Sequence, residues 1–132
     1  MHFSRVSLAS LAASQVAAVT LWAASYGGAG LGDGGVTSLK LDKTDTGAYT
    51  LKQTSFLNGS TSCGAQSSWL TKDAWNNVIY CVDEAWGAAN GSITSFHSSP
   101  SGSLTLFDKQ ISLGSPVSTV VYNGGAALAA AH

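Results

Sequence analysis

The run from Ser67 to Asp108 limits the possible folds more than any other part of this chain. SSWLTKD, VIYCVDE, SITSFHSS and SLTLFDKQ are four short segments of strand character, separated by the turn clusters WNN, AWGAANG and PSG. That is the pattern of a four-stranded antiparallel meander. Trp69, Leu70, Val78, Ile79, Tyr80, Val82, Ile93, Phe96, Leu104, Leu106 and Phe107 fall on both of its faces. A sheet that is apolar on both sides needs a neighbour on each, so a stack of small sheets is expected.

Internal repetition supports this. Leu128–His132 aligns with Tyr80–Glu84, and Pro116–Val120 with Ser67–Thr71, both at a spacing of about 50 residues. Upstream, Leu21–Ser25 aligns with the same second strand, and the Gly-rich stretch Gly27–Gly35 absorbs the longer interval. The run Gly35–Leu41 repeats in kind as Gly91–His97. Four strands per unit at this period predict β-propeller blades, with an ordinary β-sandwich as the alternative. The blade pieces are expected at 19–56, 67–111 and 116–132.

The runs LWAASYGG, TSCGAQSSWLTKD, VIYCVDEAWGAANGSITSF, GSLTLFDK and SPVSTVVYNGGAALAAAH resemble the fungal branch of the lactonase family. That branch includes 6-phosphogluconolactonase-like proteins and the carboxy-cis,cis-muconate cyclase. The resemblance spans the chain from about Val19 onward and implies an all-β fold, the N-terminal part of a seven-bladed propeller. It also implies a lactone, or the hydroxy acid derived from it, as ligand, with no cofactor and no metal. Ser67 stands where the family usually has Pro before its Ser-Trp pair. Family members run to several hundred residues, so the 132-residue chain is expected to be a fragment or a truncated gene product.

Composition narrows the functional classes. The chain is 45% hydrophobic and only 10% charged, with a formal net charge of −1. Its charges are scattered singly, which argues against nucleic acid and anionic membranes as partners. Met1–Ala18 carries Arg5, an Ala/Leu/Val stretch and a Val-Ala-Ala ending, the pattern of a secretory signal; an N-terminal helix is the alternative. Secretion would make glycans possible at the sequons Asn58-Gly-Ser60 and Asn90-Gly-Ser92, both expected in loops. It would also permit a Cys63–Cys81 disulfide. Against that bond, pairing of the two strands about the Trp75-Asn76 turn places Leu70, not Cys63, opposite Cys81, so two buried free thiols remain the alternative.

Gly27–Gly35 suggests a phosphate loop, but the VTSLKL that follows has strand periodicity. A phosphate loop requires a helix N-terminus there. A long connection between strands is expected instead.

On this register all second strands end at one face of the propeller, which puts Ser25, Glu84 and His132 at a common rim with Tyr26, Asp83 and Trp86. Lactone chemistry needs an acid or base for the ring oxygen and a cation for the anionic substrate or the developing oxyanion. Glu84 and His132 are the candidate acid–base groups. The competing reading makes Glu84 a strand-end cap on loop amides and His132 only the last residue of a strand. His97 is expected to be solvated near the outer edge. In the family, the residues proposed for catalysis include His, Glu and Arg from later blades, with no counterpart in this chain. After Ala18 no Arg remains, so any cation must be a Lys. No Gly-x-Ser-x-Gly elbow is present.

Two functions of different class follow: a lactone-processing enzyme of which this chain is a part, or a secreted, non-catalytic module that pairs through an open sheet edge. An incomplete ring is expected to self-associate and, alone, to be inactive. Trp69, assigned to an inner strand between sheets, is expected to be buried, so that Trp69→Ala, at about 3–5 kcal/mol, would abolish soluble expression while Trp75→Ala in the turn is tolerated. The signal assignment predicts that protein recovered from culture medium begins at or near Val19. Intact Met1 in cytosolic protein would remove that assignment, and with it the case for a disulfide and for glycans on Asn58 and Asn90.

Overall fold

The computed structural model describes residues 18–28 and 32–132. The expected signal up to residue 17, and the middle of the Gly-rich connection, lie outside them. Val19–Ser25 (β1), Gly35–Lys43 (β2) and Tyr49–Asn58 (β3) form a three-stranded antiparallel sheet. A second sheet of four strands follows: Ser67–Asp73 (β4), Val78–Asp83 (β5), Ser92–Ser98 (β6) and Leu104–Ile111 (β7). Ser118–Tyr122 (β8) and Ala127–Ala131 (β9) make a two-stranded third sheet. The organisation, all-β in separate sheets of three, four and two strands, is that of a fragment of a β-propeller. Among the described residues no strand pairs with the outer side of β1.

The middle sheet is covered on both faces along β5, but not at its outer strand. Contrary to the expectation of a cover on each face, β7 is exposed from Thr105 to Ile111, Leu106 and Phe107 included, because neither neighbouring sheet reaches that edge. On β5, Val78, Ile79, Cys81 and Val82 are all buried. Ile79, Cys81, Phe96 and Leu104 pack with Val36 of β2 and Cys63, flanked by Trp22, Leu57 and Leu70, which closes the interface with the first sheet. The opposite face meets the third sheet. There the Thr71 hydroxyl donates to the Thr119 carbonyl at 2.7 Å and accepts from the Thr119 hydroxyl at 3.0 Å.

Both cysteines are consumed by a Cys63–Cys81 disulfide, with a Cα–Cα distance of 5.8 Å. The register does place Leu70 opposite Cys81. Cys63 nevertheless reaches Cys81 face-on, because the passage from β3 to β4 lies across the side of β5 that faces the first sheet. A single 3-10 turn at Gly59–Thr61 starts this passage. Its carbonyls at Ser62 and Cys63 accept from Lys109 Nζ at 3.2 and 3.0 Å, and Thr94 also donates to both. Gly64, at φ 145°, must stay without a side chain, since a Cβ there would run into the Asp83 carboxylate.

Asp73 closes the β4–β5 turn and is fully buried. Its carboxylate accepts from the Trp75 and Asn76 amides at 2.9 and 3.2 Å and from Asn76 Nδ2 at 2.7 Å. Donation from the Asn76 side chain, helped by the two backbone amides and opposed by burial, holds the carboxyl below the ordinary carboxylate range. Gly125 of the third sheet, at φ 85°, presses against this turn so closely that a Cβ would meet Asn76 and Asp73.

Three further expectations need correction. Trp69 is not buried: it is 46% exposed. The strand alternation that sends Leu70 to the first sheet sends Trp69 toward the third, where the two strands β8 and β9 leave it half covered. Its truncation therefore removes only part of a buried side chain, and Trp69→Ala should remain soluble. The outer strand β3 runs to Asn58, past the expected end of the first blade piece at residue 56. Asn58 is consequently a strand end and not a loop residue; it caps the 3-10 turn by accepting from Ser60 N at 2.9 Å.

Cross-linking across a separation of 18 residues constrains the unfolded chain by about 3 kcal/mol. Cys63→Ser, Cys81→Ser and the double variant should each lose about 2–4 kcal/mol, read from urea midpoints at unchanged slope. Midpoints identical to the oxidised parent would show that the bond contributes nothing.

Candidate functional site

At the end of the strands where β1 and β5 finish, one glutamine organises the rim. Gln66, just before β4, forms an antiparallel bridge with Tyr26. Its amide donates to Asp83 Oδ1 at 3.1 Å, and its carbonyl accepts from the Glu84 amide at 3.1 Å. Its side-chain Oε1 accepts from the Trp86 amide. The chain beyond β5 is thereby folded back toward β1, and the Tyr26 phenol donates to the Glu84 carboxylate.

This contact changes the Tyr26 hydroxyl. As hydrogen-bond acceptor first, and through its negative charge as well, Glu84 raises the phenol above its usual range, with a further contribution from partial burial. Tyr26 therefore holds its proton more tightly than a free phenol and stays a hydrogen-bond donor at neutral pH. The Asp83 and Glu84 roles also separate: Asp83 takes the loop amide, the capping job expected as the alternative for Glu84, while the Glu84 carboxylate binds a side chain at the surface.

The other expected rim residues are placed as follows. Ser25 ends β1, with its hydroxyl 3.4 Å from the Gly35 carbonyl. Trp86 is 76% exposed in the connection after β5. His132 follows β9, and its Nδ1 lies 3.0 Å from the Gly114 carbonyl. A carbonyl can only accept, so Nδ1 is the donor of this contact. Glu84 and His132 are not hydrogen-bonded to each other: one is engaged by Tyr26, the other by the loop before β8. Asn58 Nδ2 donates to Asp33 at 2.6 Å, whereas Asn90 is exposed. His97 is exposed on β6, its ring 4.5 Å from that of Phe107.

No described lysine bonds to the rim carboxylates. Lys109 holds the Ser62 and Cys63 carbonyls, Lys40 pairs with Asp42 at 3.1 Å, and Lys43 lies 6.0 Å from the Tyr49 ring centre. Lys72 sits 5.6 Å from the Trp22 ring centre, in a cleft of about 540 Å3 that also involves Asn77 and Ser98. That cleft is at the opposite ends of the strands from Tyr26 and Glu84.

Residues 20–132 match the family model described as lactonase, 7-bladed beta-propeller. The chain belongs to this family. No curated protein and no solved structure gives a match. Membership gives the lactonase-type function in general and accounts for the grouping of three, four and two strands as pieces of consecutive blades. The rim residue that the sequence reading passes over is Gln66. The available signal was its place directly before an inner strand, which by register is rim height.

If Glu84 holds the Tyr26 phenol as described, Glu84→Gln should let Tyr26 ionise at lower pH, closer to the usual value of about 10. Tyrosine ring-carbon NMR during a pH titration reads this directly. A Tyr26 titration unchanged by the substitution would rule the contact out.

Proposed function

We propose that this chain forms part of the channel mouth of a lactone-processing propeller of the fungal 6-phosphogluconolactonase-like and carboxy-cis,cis-muconate cyclase-like branch, with Glu84 and Tyr26 as its acid–base pair. The observation that carries the reading is the phenol–carboxylate contact at the end of the second strands, in a chain of the lactonase family. In hydrolysis, Glu84 takes a proton from water as the water oxygen bonds to the lactone carbonyl. As Glu84 becomes protonated the Tyr26 hydroxyl turns from it to donate to the developing oxyanion, and the ring C–O bond breaks as the proton returns from Glu84 to the leaving alkoxide. Closure of a muconate lactone is a different step: a carboxylate oxygen of the substrate bonds to one carbon of a C=C as a proton is delivered to the carbon that takes up the π pair, and no water is released. His132, whose Nε2 is left outside the contact with Gly114, is a second acid–base group on the rim.

The cation for an anionic substrate comes from outside the described rim, since the lysines discussed above are engaged elsewhere. Residues 19–132 alone are therefore proposed to be inactive. The unpaired side of β1 invites pairing with another strand, and self-association follows. The buried disulfide and the exposed sequon Asn90 support secretion as the route of this protein.

Purified residues 19–132 should elute above monomer size and show no hydrolysis of 6-phosphogluconolactone above buffer. In a longer, active form, Glu84→Gln should reduce kcat by about 10²–10⁴-fold, the usual worth of a general acid–base group. A monomeric, active 19–132 would refute the requirement for further blades. Full activity of Glu84→Gln would remove Glu84 from the chemistry.

A further inference from the structure

Among the described residues, the Ser68 hydroxyl is the one buried side-chain oxygen or nitrogen left without a hydrogen-bond partner. Buried polar groups are ordinarily paired, so an orphan of this kind asks for a reason. Folding supplies none, since an alanine would occupy the same strand position and leave no polar atom unpaired. The place of Ser68 is set by a bulge. The register between β4 and β5 shifts between Ser67 and Trp69, so Ser68 stands with no partner on β5. An extra residue of this kind re-aims side chains, and bulges are common beside active sites. Ser67 spends its own hydroxyl on the Gly64 carbonyl at 2.9 Å, so the two serines have separate roles.

Ser68 is two residues past Gln66, whose backbone bridges Tyr26, and the Tyr26 oxygen is the group its hydroxyl bears on. The hydrogen bond to Glu84 raises the phenol most, with burial and the Glu84 charge adding to it. Ser68 acts the other way, as a donor to the phenol oxygen does. The two hydroxyls fall short of a full hydrogen bond while the phenol is drawn onto Glu84. A phenol has one hydrogen to give and lone pairs to receive with. Tyr26 is 43% exposed, so its hydrogen can be offered outward to a ligand. Once that hydrogen leaves Glu84, the carboxylate no longer anchors the ring. Donation from Ser68 would then hold the oxygen in place and, by polarising the phenol, strengthen its own O–H as a donor.

We infer that Ser68 is a positioning residue of the rim: its buried hydroxyl donates to the Tyr26 oxygen when the Tyr26 hydrogen turns from Glu84 to a bound substrate, and so keeps the phenol aimed at the developing oxyanion. No proton passes between Ser68 and Tyr26; each keeps its own. The inference rests on the acid–base reading above and adds a third member to it.

The deciding measurement is made on Tyr26 and needs no turnover. In the chain carrying Glu84→Gln, tyrosine ring-carbon NMR over a pH titration should show Tyr26 ionising at higher pH when Ser68→Ala is added, because a donor to the phenolate has been lost. Ser68→Thr, which keeps the hydroxyl, should stay with the Glu84→Gln parent, and the Tyr49, Tyr80 and Tyr122 signals should not move. A Tyr26 titration indifferent to Ser68→Ala overturns the inference. Thermal unfolding gives a second check: Ser68→Ala removes an unpaired buried group, so it should melt no lower than its parent. A lower midpoint would show that the hydroxyl is already paired in the resting fold, and would overturn the inference as well. In a longer, active form with Glu84 intact, Ser68→Ala should lower kcat about tenfold with KM unchanged, the sign of an interaction made only in the transition state. The two readings fail separately. Hydrolysis reduced by Glu84→Gln but untouched by Ser68→Ala defeats the inference alone. A Tyr26 titration that follows Ser68, in a protein whose hydrolysis ignores Glu84→Gln, keeps the Ser68–Tyr26 bond and defeats the acid–base reading.

Discussion

Burial of β5 on both faces is the constraint on which the rest depends. A strand carrying Val78, Ile79, Cys81 and Val82, all buried, cannot lie at the surface of a sandwich. It forces one sheet onto each side of its own, and that stacking fixes everything else. The first sheet supplies Val36 and Trp22, while the third supplies Thr119 and Gly125. Each apolar side chain of this size contributes about 1.5–3 kcal/mol when fully buried, so the interface with the first sheet is the principal source of stability among the described residues. The junction with the third sheet is more polar, built on Thr71, Thr119 and the Asp73 turn.

The rim follows from the same stacking. Successive sheets turn their second strands the same way, so β1 and β5 end at a common level, and Gln66 joins the two ends through backbone and side chain together. What results is a phenol and a carboxylate in contact at the surface, from two sheets and 58 residues apart in sequence. Neither group is a strong catalyst on an exposed surface in isolation. Their value lies in being held by two rigid sheets, which is the condition under which positioned groups act efficiently.

Strand positions were legible in the sequence because the period-two pattern is local. The runs at Ser67, Val78, Ser92 and Leu104 begin strands as the pattern indicates, and the propeller organisation follows from their repetition. What the pattern does not carry is the direction normal to a sheet. Strand pairing identifies Leu70 as the neighbour of Cys81 and says nothing about Cys63, which arrives from above the sheet. Trp69 was misassigned for the same reason: alternation separates two faces but does not say which face is fully covered. The Tyr26–Glu84 contact was legible only as shared rim height, since the hydrogen bond depends on how the loop after β5 is folded back by Gln66.

The grip on the passage between the first two sheets also has a mechanical side. Cys63 is bonded covalently to β5, and the neighbouring carbonyls are held by Lys109 and Thr94 from β7 and β6. A segment anchored to three strands at once cannot serve as a hinge, so the first two blades are coupled into one stiff body. Compliance is left to the seam beside Trp69, where two threonines and a buried turn replace a covalent tie. The Tyr26–Glu84 contact spans the same two sheets that this segment ties together, so it shares their covalent support rather than that of the seam.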